Sequence, residues 1–129
     1  MSNPQTCKEK YATTWRDITT FSDYQEEAQK TNSRGGGKDP LDIAYGILGL
    51  VGETGEVAEK IKKFIRGDKT ELDLEDIKKE LGDVMWYTQY MCQILGFTME
   101  EVASLNIAKL RTRHGGDKYK HRSEWVEDA

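Results

Sequence analysis

Two acidic pairs carry the chemistry available to this sequence. Glu53 and Glu56 stand three residues apart, as do Glu80 and Asp83, and twenty-three residues separate Glu56 from Glu80. Residues three apart on a helix share a face, so two antiparallel helices would aim all four carboxylates at one point. Carboxylates gathered in this way oppose one another's ionisation and call for a cation. Ligands that are all oxygen select a hard divalent ion, Mg²⁺ or Mn²⁺, and such an ion most often serves phosphate chemistry. One acidic pair at this spacing is ordinarily a solvated helix face. Two pairs at matching positions, each adjoining an apolar seam, favour a metal site.

The opposite charge appears later in the chain. Asn106, Lys109 and Arg113 fall at i, i+3 and i+7, along one face of a helical segment. Lysine and arginine can hold phosphate oxygens, arginine through two parallel hydrogen bonds, and Asn106 offers both a donor and an acceptor. Tyr87 lies one turn after Asp83 on the acidic stripe and is a candidate contact to the substrate. Trp86 and Tyr90 beside it are expected in the core. Gly35 to Gly37 is no Walker-type phosphate loop, since no Gly-Lys-Ser/Thr follows, and His114 and His121 have no partners at metal-ligand spacing.

The elements that position these residues are all helical. One helix has a clear start, with Asp39 as cap, Pro40 in the first turn and Asp42 close behind. Ile43, Ile47, Leu50, Thr54, Val57, Ile61 and Phe64 then follow at alternating steps of four and three and predict a buried seam, with Gly67 as the C-terminal cap. Beside that seam runs a second stripe of Gly46, Gly49, Glu53, Glu56, Lys60 and Lys63. Glycine inside a helix costs about 1 kcal/mol relative to alanine, so Gly46 and Gly49 point to close approach by another helix or by a ligand. The next helix starts near Asp73, has a seam of Ile77, Leu81, Val84, Thr88, Met91 and Leu95, and ends at Gly96. Its matching stripe is Asp76, Glu80, Asp83, Tyr87 and Tyr90. Thr98-x-x-Glu101 is a capping box for a last helix running to about Arg113, which Gly115 and Gly116 break. Upstream, Ser22 is expected to cap a helix reaching about Lys30, and a weakly patterned helical piece is expected around Lys8 to Asp17. Thr31 to Lys38 reads as a flexible loop. No segment alternates with period two, so the fold class is all-α: a four-helix-bundle-like core with an additional short N-terminal helix.

Composition sets the outer bounds. The 129 residues make one domain, residues 1–129, with a core of about 22–114 and a charged tail, 115–129, in which Trp125 could anchor on a partner surface. A net charge of -4 makes nucleic acid a poor partner. Cys7 and Cys92 are the only cysteines. They suggest no disulfide framework, and Cys92 beside Met91 is expected in the core. No run approaches the ~20 apolar residues of a membrane span, and the N-terminus has no apolar signal core. The chain is therefore expected to be cytoplasmic and independent of membranes.

The runs LGLVGETGEVAEKIKK, KKELGDVMWYTQYM and NIAKLRTRHG together resemble the all-α nucleoside triphosphate pyrophosphohydrolases, the MazG-like group related to dimeric dUTPases and dCTP pyrophosphatases. The resemblance covers roughly Tyr24 to His114. The group's split acidic signature, Glu-Glu-x-x-Glu followed by Glu-x-x-Asp, is met at Glu53, Glu56, Glu80 and Asp83, with Gly52 in place of the first glutamate. Its Asn-x-x-Lys-x-x-x-Arg falls on Asn106, Lys109 and Arg113. FSDYQEEAQKT resembles the N-terminal helix of small members, whose following loop helps form the base pocket. The resemblance implies Mg²⁺-dependent hydrolysis of a (deoxy)nucleoside triphosphate to monophosphate and pyrophosphate, with water attacking the α-phosphorus. Glu53, Glu56, Glu80 and Asp83 would bind the metal and carry catalysis, and one of the glutamates, with Glu53 the first candidate, would orient or deprotonate the water. Lys109 and Arg113 would hold pyrophosphate, and Asn106 and Tyr87 would place the sugar or base. It implies a homo-oligomer as well, a tetramer or a dimer. Two alternatives stay open: a catalytically silent nucleotide-binding or helical interaction module, and a structural bundle with solvated carboxylates.

Overall fold

The computed structural model describes residues 5–35, 37, 39–116 and 121–124. Five α-helices follow one another: α1 (Cys7–Lys10), α2 (Phe21–Gln29), α3 (Pro40–Arg66), α4 (Leu74–Leu95) and α5 (Met99–His114), with a 3₁₀ turn at Arg122–Glu124. No strand occurs among the described residues, as the sequence pattern predicts.

The long helices begin and end where their cap residues place them. The Asp39 carboxylate accepts from the Leu41 N–H at 2.7 Å, and Pro40 leads α3. The Asp73 carboxylate accepts from the Asp76 N–H at 3.1 Å to start α4. Both helices close on a left-handed glycine, Gly67 (φ 90°) and Gly96 (φ 82°), a conformation that costs glycine no steric penalty. Thr98 and Glu101 form the reciprocal capping box of α5. The N-terminal third departs from expectation. The cap of α2 is Thr20, whose hydroxyl accepts from the Asp23 N–H, whereas Ser22 lies inside the first turn and its hydroxyl donates to the Glu100 carboxylate of α5. The piece expected over Lys8 to Asp17 shrinks to the single turn α1, capped by Thr6 and Glu9. A short segment without an apolar face cannot offset the cost of helix nucleation. That turn is tied to α4 by the Cys7 N–H, which donates to the Glu75 carboxylate at 3.1 Å.

The α3–α4 antiparallel pair is the main helix interface, with α2 laid against α4 and α5 leaning chiefly on α2. The face of α3 that meets α4 is rotated from the expected seam toward the glycine stripe. Gly46 is buried, and Ile43, Leu50, Val57 and Ile61 are partly covered, but Ile47, Thr54 and Phe64 are exposed, as is Leu81 on α4. Bulk explains the rotation. The rings of Tyr87 and Tyr90 lie against the α3 backbone, where a Cβ on Gly49 would stand 2.1 Å from Tyr87 Cε1 and one on Gly46 would stand 2.3 Å from Met91 Sδ. The glycines thus admit a neighbouring helix, the blander of the two roles open to them.

The most buried side chains gather at the C-terminal end of α4, where Tyr90, Cys92 and Ile94 meet Ala28 of α2 and Met99 of α5. The Gln25 amide fastens that corner: it donates to the Phe97 carbonyl at 3.2 Å and accepts from the Met99 N–H at 3.1 Å. The described part of the loop after α2 is anchored, contrary to the flexible loop expected there. Trp86 Nε1 donates to the Thr31 hydroxyl at 2.7 Å, Asn32 reaches Gln93 at 3.3 Å, and Arg34 pairs with Asp42 at 3.0 Å. Gly36, Lys38 and Trp125, with residues 117–120 and the rest of the tail beyond 124, lie outside the described residues.

Candidate active site

The site is a product of helix register. Along α3, Gly46, Gly49, Glu53 and Lys60 meet, in turn, Tyr90, Tyr87, Asp83 and Asp76 along α4. The steps of three, four and seven residues forward on one helix are matched by the same steps back on the other. Regular antiparallel pairing therefore delivers both acidic pairs to the same level of the interface, with Glu56 and Glu80 between the Glu53–Asp83 and Lys60–Asp76 layers.

Glu53, Glu80 and Asp83 converge: each offers a carboxylate oxygen, and the three lie within 4.8 Å of one another. Oxygens on opposite sides of a Mg²⁺ ion are about 4.2 Å apart, so these side chains close onto one ion by small rotations. Glu56 is exposed and stands outside this trio, although its charge acts on Glu53. Burial, followed by repulsion from Asp83, Glu80 and Glu56, pushes the Glu53 carboxyl above the usual carboxylate range. Burial and then the charge of Glu80 raise Asp83 in the same direction, with Lys79 opposing. Groups that resist ionisation because like charges face them are those a divalent cation stabilises most. The donor set therefore fits a hard divalent ion, with Glu53 and Glu80 partly covered and Asp83 exposed.

An aromatic wall adjoins the acidic layer. Tyr45 lies 6.0 Å from Tyr87 between ring centroids, and Trp86 stacks on Tyr90 at 5.5 Å. A hydrogen bond with Tyr45, followed by burial, raises the Tyr87 phenol to about 12, and the charges of Glu53 and Asp83 add to the shift. Tyr87 thus borders the carboxylates as its place on the stripe suggests, but its ring is spent largely on packing over Gly49. The Arg34 guanidinium stands 4.4 Å over the Tyr45 ring.

Asn106 and Lys109 are exposed on α5, and Arg113 is partly covered. Neither Lys109 nor Arg113 is among the charges that act on Glu53 or Asp83. Three residues near the site were given no role by the sequence pattern. Lys60 reaches both Asp76 and Glu80; its place one turn after Glu56 was the available signal. Tyr24 of α2 is raised to about 12 by burial and then by the charge of Asp83, and Arg34 arrives from the glycine-rich loop. Nothing local to Tyr24 or Arg34 foretells those positions.

Comparison with known proteins gives this geometry its context. The family model of the MazG nucleotide pyrophosphohydrolase domain matches residues 45–116, a span that includes both acidic pairs and the Asn106, Lys109 and Arg113 stripe. The chain is 40% identical over 74 residues to the Gene 37 protein of Mycobacterium phage L5, an alignment that covers 55% of this chain and 65% of the phage protein. The chain thus spans slightly less than two thirds of that relative's length. No solved structure matches it. The matched span covers more than half of the chain, and the chain belongs to the MazG nucleotide pyrophosphohydrolase domain family.

Proposed function

We propose that the protein hydrolyses (deoxy)nucleoside triphosphates to monophosphate and pyrophosphate in a Mg²⁺-dependent reaction, with Mn²⁺ as a substitute. The observation that carries this is the convergence of Glu53, Glu80 and Asp83 within 4.8 Å inside the matched family span. Glu53, Glu80 and Asp83, with Glu56 at the rim, would hold the ion. The ion supplies Lewis acidity toward the phosphate oxygens and neutralises their charge.

The chain's own groups do the rest. Glu53, which faces Glu80 and Asp83 across the helix interface, is the glutamate we assign to accept the proton of the attacking water. Oxygen from water then bonds to the α-phosphorus, the bond to the β-phosphate oxygen breaks, and pyrophosphate leaves. Lys109 and Arg113 would hold the charge of that leaving group, and Asn106 and Tyr87 would place the sugar or base. Since neither Lys109 nor Arg113 acts on Glu53 or Asp83 within one chain, the basic stripe would serve the carboxylates of a second copy in a homo-oligomer, a dimer or a tetramer. No described helix is long and apolar enough to cross a membrane.

A panel of canonical and modified nucleoside triphosphates, incubated with Mg²⁺ or Mn²⁺ and resolved by product, tests this. Monophosphate with pyrophosphate is expected, and both should vanish with chelator. Release of single phosphate, or activity surviving Glu53→Gln combined with Glu80→Gln, would contradict it. Tight nucleotide binding without turnover at any metal would favour a silent nucleotide-binding module instead.

A further inference from the structure

Lys60 stands on the same face of α3 as Glu53 and Glu56, one turn beyond Glu56 and two beyond Glu53, and its ammonium is shared across the helix interface. Its closer contact is the Asp76 carboxylate, and it also lies 3.6 Å from Glu80 Oε1. These side chains are partly withdrawn from water, with Lys60 30%, Asp76 28% and Glu80 13% exposed. Their interactions therefore escape much of the screening that weakens surface pairs. Asp76 also takes Lys79 at 3.4 Å, so one carboxylate holds two lysines on the flank of the acidic trio. Glu80 is thus at once a member of that trio and a partner of Lys60.

We propose that Lys60 is a positioning residue that sets the divalent-ion affinity of the acidic site, because it is shared between Glu80 and a carboxylate, Asp76, that is outside the trio. Without a divalent ion, Lys60 offsets part of the charge of Glu80 and holds that side chain in place between the helices. When Glu80 turns to an ion, Lys60 keeps a partner in Asp76 and is not left as an uncompensated cation beside the ion. Asp76 therefore acts as a tether that draws the ammonium away from the trio. The assignment rests on the acidic trio being a divalent-ion site.

Two substitutions have opposite consequences. Lys60→Met removes a positive charge next to the ion, and a unit charge acting on a divalent ion across several ångströms of water-like dielectric is worth about tenfold in binding. Asp76→Asn removes the tether, so Lys60 settles on Glu80 and Lys79 is freed toward Asp83, and both effects oppose the ion. Each variant loses a partly buried ion pair and should melt at a lower temperature than wild type without metal. An ion pair with a merely structural role predicts that loss but no change in metal affinity.

The test is direct binding of Mn²⁺ to the chelator-stripped full chain without nucleotide, by electron paramagnetic resonance of the free ion, with folding verified by circular dichroism. Tighter binding by Lys60→Met, weaker binding by Asp76→Asn and near-wild-type binding by Lys60→Arg are expected. Equal affinities, or shifts of the first two in the same direction, overturn the proposal even if wild type binds Mn²⁺ well. A wild type that takes up no Mn²⁺ overturns the metal assignment itself and this role of Lys60 with it.

Discussion

At the scale of the residue, Glu53 concentrates the electrostatic tension of the site. Its folded-state proton affinity exceeds that of an exposed glutamate because burial and the charges of Asp83, Glu80 and Glu56 oppose its ionisation. The stability linked to a raised carboxylate is fully present at pH values below its unfolded pKa, about 4.3. It is lost as pH rises through the folded value. Glu53→Gln removes that penalty. In the presence of chelator the variant should melt a few degrees above wild type at neutral pH, and the advantage should vanish on acidification, as read by thermal melts across a pH series. With divalent ion and substrate the same change should reduce turnover by about a hundredfold or more, the range for loss of a general base. A variant less stable than wild type at neutral pH would show that Glu53 is satisfied rather than strained.

At the scale of the element, the α3–α4 contact depends on two side chains that are absent. A Cβ on Gly49 would meet three atoms of the Tyr87 ring at 2.1 to 2.4 Å, so the ring or the helices must shift. Gly49→Ala gains helix propensity of about 1 kcal/mol but forces this repacking, which typically costs about 1–3 kcal/mol. Because Glu53 is one turn further along α3, the same displacement should weaken Mn²⁺ binding. Lower thermal stability together with looser metal binding is expected, and shortening the ring with Tyr87→Leu in the Gly49→Ala background should recover part of the stability. The capping box of α5 has a more local effect. Thr98→Ala removes the acceptor for the Glu101 N–H, a bond of 3.1 Å, and should cost about 1 kcal/mol, seen as a lower midpoint in urea unfolding.

At the scale of the whole molecule, one chain leaves much apolar surface uncovered. Leu41, Leu48, Val51 and Ile65 on α3 are 65–77% exposed, and Leu105 on α5 is 70% exposed. Leu48 and Val51 are one turn apart on α3, and apolar side chains exposed together on one helix face usually mark an interface. Leu48→Glu combined with Val51→Glu should convert an oligomer to monomers, measured by sedimentation, and should abolish turnover if the site needs a second copy. A sharper check uses two inactive proteins, Glu80→Gln and Lys109→Ala. Mixed and re-assembled, they should regain part of the wild-type activity if the basic stripe of one copy serves the carboxylates of another. A complete site within one chain predicts no recovery.

What the sequence alone determined is whatever local chemistry controls. Asp39 with Pro40, Asp73, Thr98 with Glu101, and the glycines at 67 and 96 set helix boundaries through hydrogen bonds and backbone freedom within a few residues of each end. The i, i+3 spacing placed Glu53 with Glu56, and Glu80 with Asp83, on single faces, because helical period needs no distant partner. Tertiary structure decided which face met which neighbour. Ile47 and Phe64 had the periodicity of a seam yet stayed exposed, because the rings of Tyr87 and Tyr90 needed the bare backbone at Gly46 and Gly49 and turned α3 toward them. The same register separated Glu56 from the convergent trio, brought Tyr24 from a different helix to Asp83, and set Lys60 between Asp76 and Glu80. Those outcomes depend on the volumes and charges of residues far apart along the chain, which meet only when the helices pack.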